Sequence, residues 1–171
     1  MGLVALCGYA WRHRVDLSDF ERHPYAIQAA AWRSVLTVAA TPERACPPSV
    51  PVVVIYVSRS CPHCQSELRR WSTLVRDAAP ESHCIGLAIV AAPGKSSTSS
   101  DWLPRELASL LLWDHDGAIA RALDVRLVPL AAYVTSNGIE VSRVVGEASE
   151  SVTTLHLIDL RRISDGDGGA R

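Results

Sequence analysis

Two uninterrupted apolar runs dominate the middle of the chain. Residues 51–57 are mostly β-branched, and residues 84–91 form a second run of almost only apolar side chains. Such runs are typical of strands that are buried on both faces of a sheet, because a strand with one wet face alternates apolar and polar residues. Since Pro47 and Pro48 exclude a continuing helix, we predict that the domain begins there and that 51–57 is its central strand.

Helical segments are predicted after each of these two runs. Between residues 65 and 78 the apolar positions recur at helical spacing, which predicts a helix packed on the sheet. Shorter helices are predicted near 102–109 and at 118–123, on either side of a third strand at 110–113. A closing amphipathic helix is predicted over 147–163, with these apolar residues on or near one face: Val152, Leu155, Ile158, Leu160 and Ile163.

The segment between these last two helices has the pattern of a β-hairpin. Two apolar stretches, 129–135 and 139–145, are joined by Ser136-Asn137-Gly138. Asn-Gly tolerates the positive φ angles that tight hairpin turns need. Strands and helices therefore alternate first, and a hairpin and a helix follow. This order predicts an α/β domain with a central mixed sheet flanked by helices on both faces.

The pattern divides the chain into three parts. Residues 1–45 form an N-terminal extension that includes a padding helix or strand between 21 and 40, residues 46–163 form the domain, and residues 164–171 form a disordered tail rich in Gly and Asp. Within the extension, residues 2–11 are apolar but number only about half of the roughly 20 that span a bilayer. They fit the remnant of a membrane anchor and a surface-packed leader equally well.

Charge and composition exclude one class of partner. The chain has 171 residues, of which 48% are hydrophobic, and its 17 basic and 18 acidic side chains leave a formal net charge of -1. Nucleic-acid binding needs a clustered excess of Lys and Arg, so we expect no nucleic-acid partner. A domain of this length buries enough apolar surface to fold without disulfides. Its five cysteines therefore need a chemical explanation.

Two of these cysteines, Cys61 and Cys64, lie where the predicted central strand passes into the predicted helix. The free N–H groups and the positive dipole end of a helix N-terminus favour a thiolate, so we assign Cys61 as the attacking nucleophile. Cys64 lies about one turn inside the helix, is more shielded, and is assigned to resolve the mixed disulfide. Pro62 suits the first helical turn, and His63 adds positive charge or a hydrogen bond beside the thiolate, so both are assigned to tuning it.

A Cys-x-x-Cys pair also fits metal binding. A structural zinc site needs two further ligands, for which Cys46, His83 and Cys84 are the candidates, although Cys84 begins an apolar strand. The same thiolates suit copper(I), as in a module that delivers copper or serves cytochrome maturation. Against these alternatives we predict no metal and no cofactor. Cys46 and Cys84 are also candidates for a structural disulfide, which their number alone does not decide.

The motif and its surroundings resemble a known family. With the Cys-Pro-His-Cys motif at 61–64 between a strand and a helix, and Val128-Pro129 opening the hairpin, the chain resembles the thioredoxin superfamily. The stretches 111–125 and 133–139 are similar to its TlpA and ResA branch, while the Pro-His dipeptide resembles the oxidant DsbA. The resemblance covers about residues 48–163.

The resemblance implies a thioredoxin fold and the activity of a protein thiol-disulfide oxidoreductase. It implies that the Val128–Pro129 bond is cis, that Pro129 lies against the cysteine pair, and that both residues bind a substrate strand. The implied partners are protein dithiol or disulfide substrates and a redox partner that recycles the pair. The implied location is extracytoplasmic, either periplasmic or membrane-tethered, with the cytoplasm as the alternative.

Four positions depart from the family pattern. Ser60 stands where a Trp often precedes the first cysteine, and Leu130-Ala131 replace polar residues after the proline. Ile55 occupies the position of the buried acid of thioredoxins and DsbA, so proton transfer to and from Cys64 needs water or another group. These departures leave open whether the pair acts as a net oxidant or a net reductant.

Overall fold

A five-stranded mixed sheet forms the centre of the protein. The computed structural model describes residues 27, 29–39, 50–77, 85–92 and 99–166. The strands are β1 (Val52–Val57), β2 (Gly86–Ala91), β3 (Leu111–Trp113), β4 (Leu130–Val134) and β5 (Glu140–Val145). They lie in the order β3-β2-β1-β4-β5. The neighbours β1 and β2 are parallel, as are β2 and β3, whereas β4 runs antiparallel to both β1 and β5.

Helices cover both faces of this sheet. They are α1 (Ala29–Ala39), α2 (Pro62–Asp77), a 3-10 helix (Arg105–Leu110), α3 (Ala118–Ala122) and α4 (Glu150–Gly166). Residues of α2, the 3-10 helix and α4 share one apolar cluster with the sheet, and residues of α1 and α3 share the other. The predicted α/β architecture, with a central mixed sheet and helices on both faces, is therefore confirmed.

The central position of β1 follows from its composition. All six of its residues are buried. Because successive side chains of a strand point to opposite faces, Val53 and Ile55 pack in the α2 cluster, whereas Val54 and Tyr56 pack in the α1 cluster. A continuous apolar run is thus required where helices lie on both sides. This strand ends directly before the cysteine motif.

The N-terminal helix α1 packs on the hairpin turn. The sequence pattern predicted either a helix or a strand between residues 21 and 40, and the structure has a helix there. Its Trp32 is buried, and the indole N–H donates a hydrogen bond to the Ser136 carbonyl at 3.0 Å. Gly138 has φ +81°, and a Cβ there would lie 3.2 Å from the Trp32 ring. The turn therefore needs glycine both for its backbone and for this close contact.

Parts of the predicted N-terminal extension and tail lie outside the described residues. These parts include the apolar stretch 2–11, Cys7, and the end of the chain from 167 to 171. Cys46, the first residue of the predicted domain, also lies outside the described residues. Helix α4 continues to Gly166, three residues into the segment predicted as tail. Of the helices that are described, none combines the length and the hydropathy that crossing a bilayer requires.

The apolar face predicted for α4 is wrong. Three of its members, Val152, Leu155 and Ile158, are exposed, whereas Leu160 is fully buried. The helix turns a different stripe toward the sheet: Thr153 is buried, Leu157 packs on the core, and His156 stacks on Tyr133 with ring centroids 4.9 Å apart. Both stripes have helical spacing, so periodicity alone does not select between them. The contact with Tyr133 of β4 selects the second.

Two leucines of α4 provide a matched test of this orientation. We expect Leu160→Ala to lower the free energy of unfolding by about 2 to 5 kcal/mol, because it removes a fully buried side chain from the core. Leu155→Ala, at a leucine that is 62% exposed, is expected to change it by less than about 0.5 kcal/mol. Chemical denaturation of both variants measures the difference. Equal losses would contradict the placement of the helix.

Candidate active site

The turn between β1 and α2 places the cysteine pair at the edge of the sheet. After β1 ends at Val57, the backbone N–H of Cys61 donates to the Ser58 carbonyl at 3.2 Å, which closes the turn. The carbonyl of Cys61 then accepts the N–H of Gln65 at 3.2 Å, and α2 begins at Pro62. Cys61 therefore occupies the position directly before the first helical residue, as the sequence pattern predicted.

The sulfur of Cys61 caps the helix. Its Sγ accepts a hydrogen bond from the backbone N–H of Cys64 at 3.2 Å. Ser, Thr or Asp side chains at this position make the same contact, because the first N–H groups of a helix lack partners within it. Pro62 has no N–H, so its place in the first turn leaves no donor unsatisfied. A sulfur held in this way is stabilised as an anion by the helix dipole.

Cys64, unlike Cys61, is buried and favoured as a protonated thiol. Its side chain has no solvent exposure, and its Sγ accepts only a long hydrogen bond, 3.5 Å, from the Ser58 N–H. Burial raises the pKa of the Cys64 thiol to about 12, and the hydrogen bond with Cys61 and the charge of that residue act in the same direction. Both cysteines are free thiols. The pair thus combines a partly exposed sulfur at the helix start with a buried, protonated one.

The loop before β4 passes next to Cys61. The Val128–Pro129 peptide bond is cis, and the Cys61 thiol donates to the Val128 carbonyl at 3.7 Å. The loop reaches this place because β4 is antiparallel to β1, with Leu130 paired to Tyr56, so that β4 begins at the edge where β1 ends. The two residues singled out from the sequence for substrate binding therefore lie beside the nucleophile.

A carboxylate that the sequence analysis missed contacts His63. The His63 ring Nδ1 lies 2.7 Å from the Glu147 Oε1, and the Ser66 hydroxyl donates to the Glu147 Oε2 at 3.4 Å. Both partners are accessible: 75% of the His63 side chain and 46% of the Glu147 side chain are exposed. The His63 imidazole thus contacts the carboxylate of Glu147, a residue from the segment after β5.

The position of Glu147 follows from strand register. Leu130, the first residue of β4, pairs with Val145, the last residue of β5. The end of β5 therefore returns to the same edge of the sheet as the end of β1, where Cys61 lies. The predicted hairpin already implied that the chain returns to this edge after its second strand. Glu147 was nevertheless overlooked, because the residues after the hairpin were assigned only to the closing helix.

A second carboxylate, Glu67, is buried on α2 one turn beyond Cys64. It is 2% exposed and accepts hydrogen bonds from the Trp71 indole N–H at 2.8 Å and from Arg70 Nε at 3.1 Å. The Ala148 N–H also donates to it at 3.4 Å, which ties the segment after β5 to α2. Ile55, which the resemblance places where thioredoxins have a buried acid, is fully buried in the apolar core. Glu67 follows the same helical spacing as the buried residues Cys64, Leu68 and Trp71. This spacing could have revealed from the sequence that Glu67 is buried.

One large apolar side chain is exposed beside the cis bond. Leu127, directly before Val128, has 68% of its surface exposed. An exposed leucine is common on its own, but this one lies in the loop whose next carbonyl contacts the nucleophilic sulfur. The sequence analysis stopped at Val128 and missed it.

Within the described part of the chain, no group of three or more His, Cys, Asp or Glu side chains is placed to hold a metal ion. Cys46, His83 and Cys84, which the zinc alternative requires, lie outside the described residues. The same holds for the disulfide considered between Cys46 and Cys84.

Comparison with solved structures identifies the fold. A solution structure of a protein described as a thioredoxin from Neisseria meningitidis is 20% identical, with a TM-score of 0.55, and the match covers 72% of this chain and 82% of that one. The pneumococcal exposed lipoprotein thioredoxin Etrx1 from Streptococcus pneumoniae is 16% identical, with a TM-score of 0.51 over 65% of this chain and 85% of that one. StoA from Bacillus subtilis is 16% identical, with a TM-score of 0.50 over 63% of this chain and 82% of that one.

No protein-family model and no curated protein matches the sequence. The similarity is therefore one of architecture. The chain has the thioredoxin fold, as the Cys-x-x-Cys motif and its surroundings implied, and the two cysteines occupy the turn between β1 and α2.

The different states of the two thiols predict a large difference in reactivity. In the fully reduced protein near pH 7.5, we expect iodoacetamide to modify Cys61 and to modify Cys64 at least about 100-fold more slowly. The reason is that Cys64 is inaccessible and its pKa, about 12, lies well above the about 8.5 of a free cysteine. Peptide mass spectrometry over a time course measures both rates. Similar rates at the two sites would contradict the structure, and the unfolded protein, in which both react, is the control.

Proposed function

We propose that the protein is a thiol-disulfide oxidoreductase that exchanges disulfides with protein substrates through Cys61 and Cys64. The observation that carries the proposal is the hydrogen bond from the Cys64 N–H to the Cys61 sulfur at the start of α2. It sets a sulfur at a helix N-terminus, where an anion is favoured, one helical turn from a second, buried and protonated sulfur. The thiolate is the species that attacks disulfides, so this arrangement provides both the nucleophile and the group that resolves its product.

In the reducing direction, the Cys61 thiolate attacks one sulfur of a substrate disulfide. A bond forms between the Cys61 Sγ and that sulfur, the substrate S–S bond breaks, and the other substrate sulfur leaves as a thiolate. The product is a mixed disulfide. We assign the approach of the substrate sulfur to the side of the Val128 carbonyl, because this carbonyl lies 3.7 Å from the Cys61 Sγ.

The second step is the attack of Cys64 on the Cys61 sulfur. Its proton passes to the departing substrate thiolate or to solvent, the mixed disulfide breaks, and a Cys61–Cys64 disulfide forms. Two electrons and the Cys64 proton have then left the pair, and the second substrate sulfur, which left as a thiolate, takes its proton from solvent. Because Cys64 is buried, no second substrate competes for it. The oxidising direction reverses these steps, and a redox partner returns the pair to its starting state in either case.

Val128 and Pro129 are assigned to substrate binding, and Leu127 is added to them. The proposal rests on the exposed Leu127 side chain and on the Val128 carbonyl beside the nucleophile. A substrate segment in extended conformation along this loop would place its cysteine against Cys61 and an apolar neighbour against Leu127. Pro62 and His63 tune the thiolate, as the sequence analysis assigned them.

An extracytoplasmic location agrees with one of the structural neighbours. The pneumococcal protein is described as an exposed lipoprotein. The substrates we assign are proteins with exposed cysteines or disulfides, for which no metal or cofactor is needed.

Two cysteine variants test the proposed reaction. We expect Cys61→Ser to abolish both insulin reduction and oxidative refolding of a reduced protein, because it removes the nucleophile. Cys64→Ser should retain attack but lose resolution, so that a mixed disulfide with the substrate accumulates and is detected as an adduct by mass spectrometry. Full activity of Cys61→Ser would contradict the proposal. Copper retention by the reduced wild type without either activity would favour the delivery module instead.

Substitution of Leu127 tests the assignment of the substrate surface. We expect Leu127→Ser to lower kcat/KM for a protein substrate by up to about tenfold, which is the loss of burying one leucine on binding, while leaving exchange with glutathione disulfide unchanged. Steady-state kinetics with both substrates measures this. Leu155→Ser, at an equally exposed leucine of α4, is the matched control. Equal losses with the small and the large substrate would contradict a role of Leu127 in protein recognition.

A further inference from the structure

We propose that Glu147 is a positioning residue that lowers the oxidising power of the cysteine pair by binding His63. The proposal rests on the proposed function and concerns the electrostatics of the same site. It assigns to the segment after β5 a part in setting the equilibrium between the disulfide and the dithiol.

The backbone holds Glu147 at this place from two sides. Gly146, directly before it, has φ +90°, and its N–H donates to the Pro129 carbonyl at 2.8 Å. Ala148, directly after it, donates its N–H to the buried Glu67 on α2 at 3.4 Å. Glu147 is thus fixed between the loop that contains the cis bond and the helix that contains the cysteines. Among the described residues, apart from its chain neighbours, none has a heavy atom within 4 Å of where a Gly146 Cβ would lie, so the positive φ of Gly146 is what favours glycine there.

The carboxylate is directed at one face of α2. Its two oxygens contact His63 at 2.7 Å and Ser66 at 3.4 Å, and these residues are three apart, which places them on the same side of the helix. Two arginines that flank the motif in sequence have carboxylate partners of their own. Arg59 lies 3.6 Å from Asp101, and Arg70 pairs with Glu67. The imidazole is therefore the basic side chain that Glu147 contacts.

The consequence follows from the charge of the reduced pair. Reduction of the disulfide creates a thiolate at Cys61, so a cation beside this sulfur favours the reduced form and makes the disulfide a stronger oxidant. His63 is the basic residue of the motif. In this structure its ring is bonded to a carboxylate, which holds the imidazole on the Glu147 side and offsets its charge. Removing the carboxylate charge should free the imidazole to act on the thiolate.

The exposure of His63 and Glu147 to solvent limits how strongly their contact can change the redox equilibrium. Ion pairs between accessible side chains contribute at most about 1 kcal/mol, which corresponds to about a fivefold change in an equilibrium constant. We therefore expect Glu147→Gln to make the disulfide about two- to fivefold more oxidising. For a two-electron couple, in which a tenfold change is about 30 mV, this equals a rise of about 10 to 20 mV in reduction potential.

The experiment is a double-mutant cycle on the equilibrium with glutathione. In this reaction two molecules of glutathione are oxidised to glutathione disulfide while the Cys61–Cys64 disulfide is reduced to two thiols. Wild type, Glu147→Gln, His63→Gln and the double variant are equilibrated at a series of glutathione ratios, quenched by alkylation and quantified by mass. Glu150→Gln, which removes a carboxylate from the first turn of α4, is the matched control and should leave the equilibrium constant unchanged.

The predicted result is a rise in oxidising power for Glu147→Gln that is at least halved when His63 is already Gln. No change, a fall, or an equal rise in the His63→Gln background would overturn the proposal, the last because Glu147 would then act on the sulfur directly. Thermal unfolding of each variant in the oxidised and in the reduced form shows whether the fold is kept and whether the substitution changes the stability of the two forms unequally. If the wild-type pair does not equilibrate with glutathione at all, the proposed function fails instead.

Discussion

A single hydrogen bond, from the Cys64 N–H to the Cys61 sulfur, determines what the site can do. It exists because a helix N-terminus has N–H groups without partners and because a cysteine occupies the position where an oxygen side chain usually accepts them. The same helix places Cys64 one turn further in, against the core, where burial keeps its proton. One helix start thus creates two thiols with different chemistry from two identical side chains.

Strand topology supplies everything else that surrounds the sulfur. Strand β1 lies in the core, beside the parallel strand β2. The C-terminal end of β1 leads to the cysteine motif, which therefore lies at one edge of the sheet. The antiparallel hairpin then returns to this edge twice, first with Val128 and Pro129 before β4 and then with Gly146 and Glu147 after β5. Cys61, the loop proposed to bind substrate and the carboxylate that contacts His63 are therefore brought together by the order of the strands.

The features that depend on local pattern were predictable from the sequence, and those that depend on packing were not. The run 51–57 had to be buried on both faces, and the Asn-Gly turn had to close a hairpin, so the fold and the place of Cys61 followed. Glu147 is a polar residue in a loop, and its importance becomes visible only when register is known. The orientation of α4 was missed because Leu155 and Leu160 belong to two stripes of helical spacing, and contact with Tyr133 decides between them.

The reduction potential of the wild-type Cys61/Cys64 couple tests the central claim most directly, because a helix start that stabilises the thiolate also makes the disulfide easier to reduce. We expect a value between about -270 and -120 mV, the range of proteins that exchange disulfides, and its position within that range would show whether the pair reduces or oxidises. A value below about -300 mV, typical of structural disulfides, or a pair that does not close under mild oxidant, would contradict the claim.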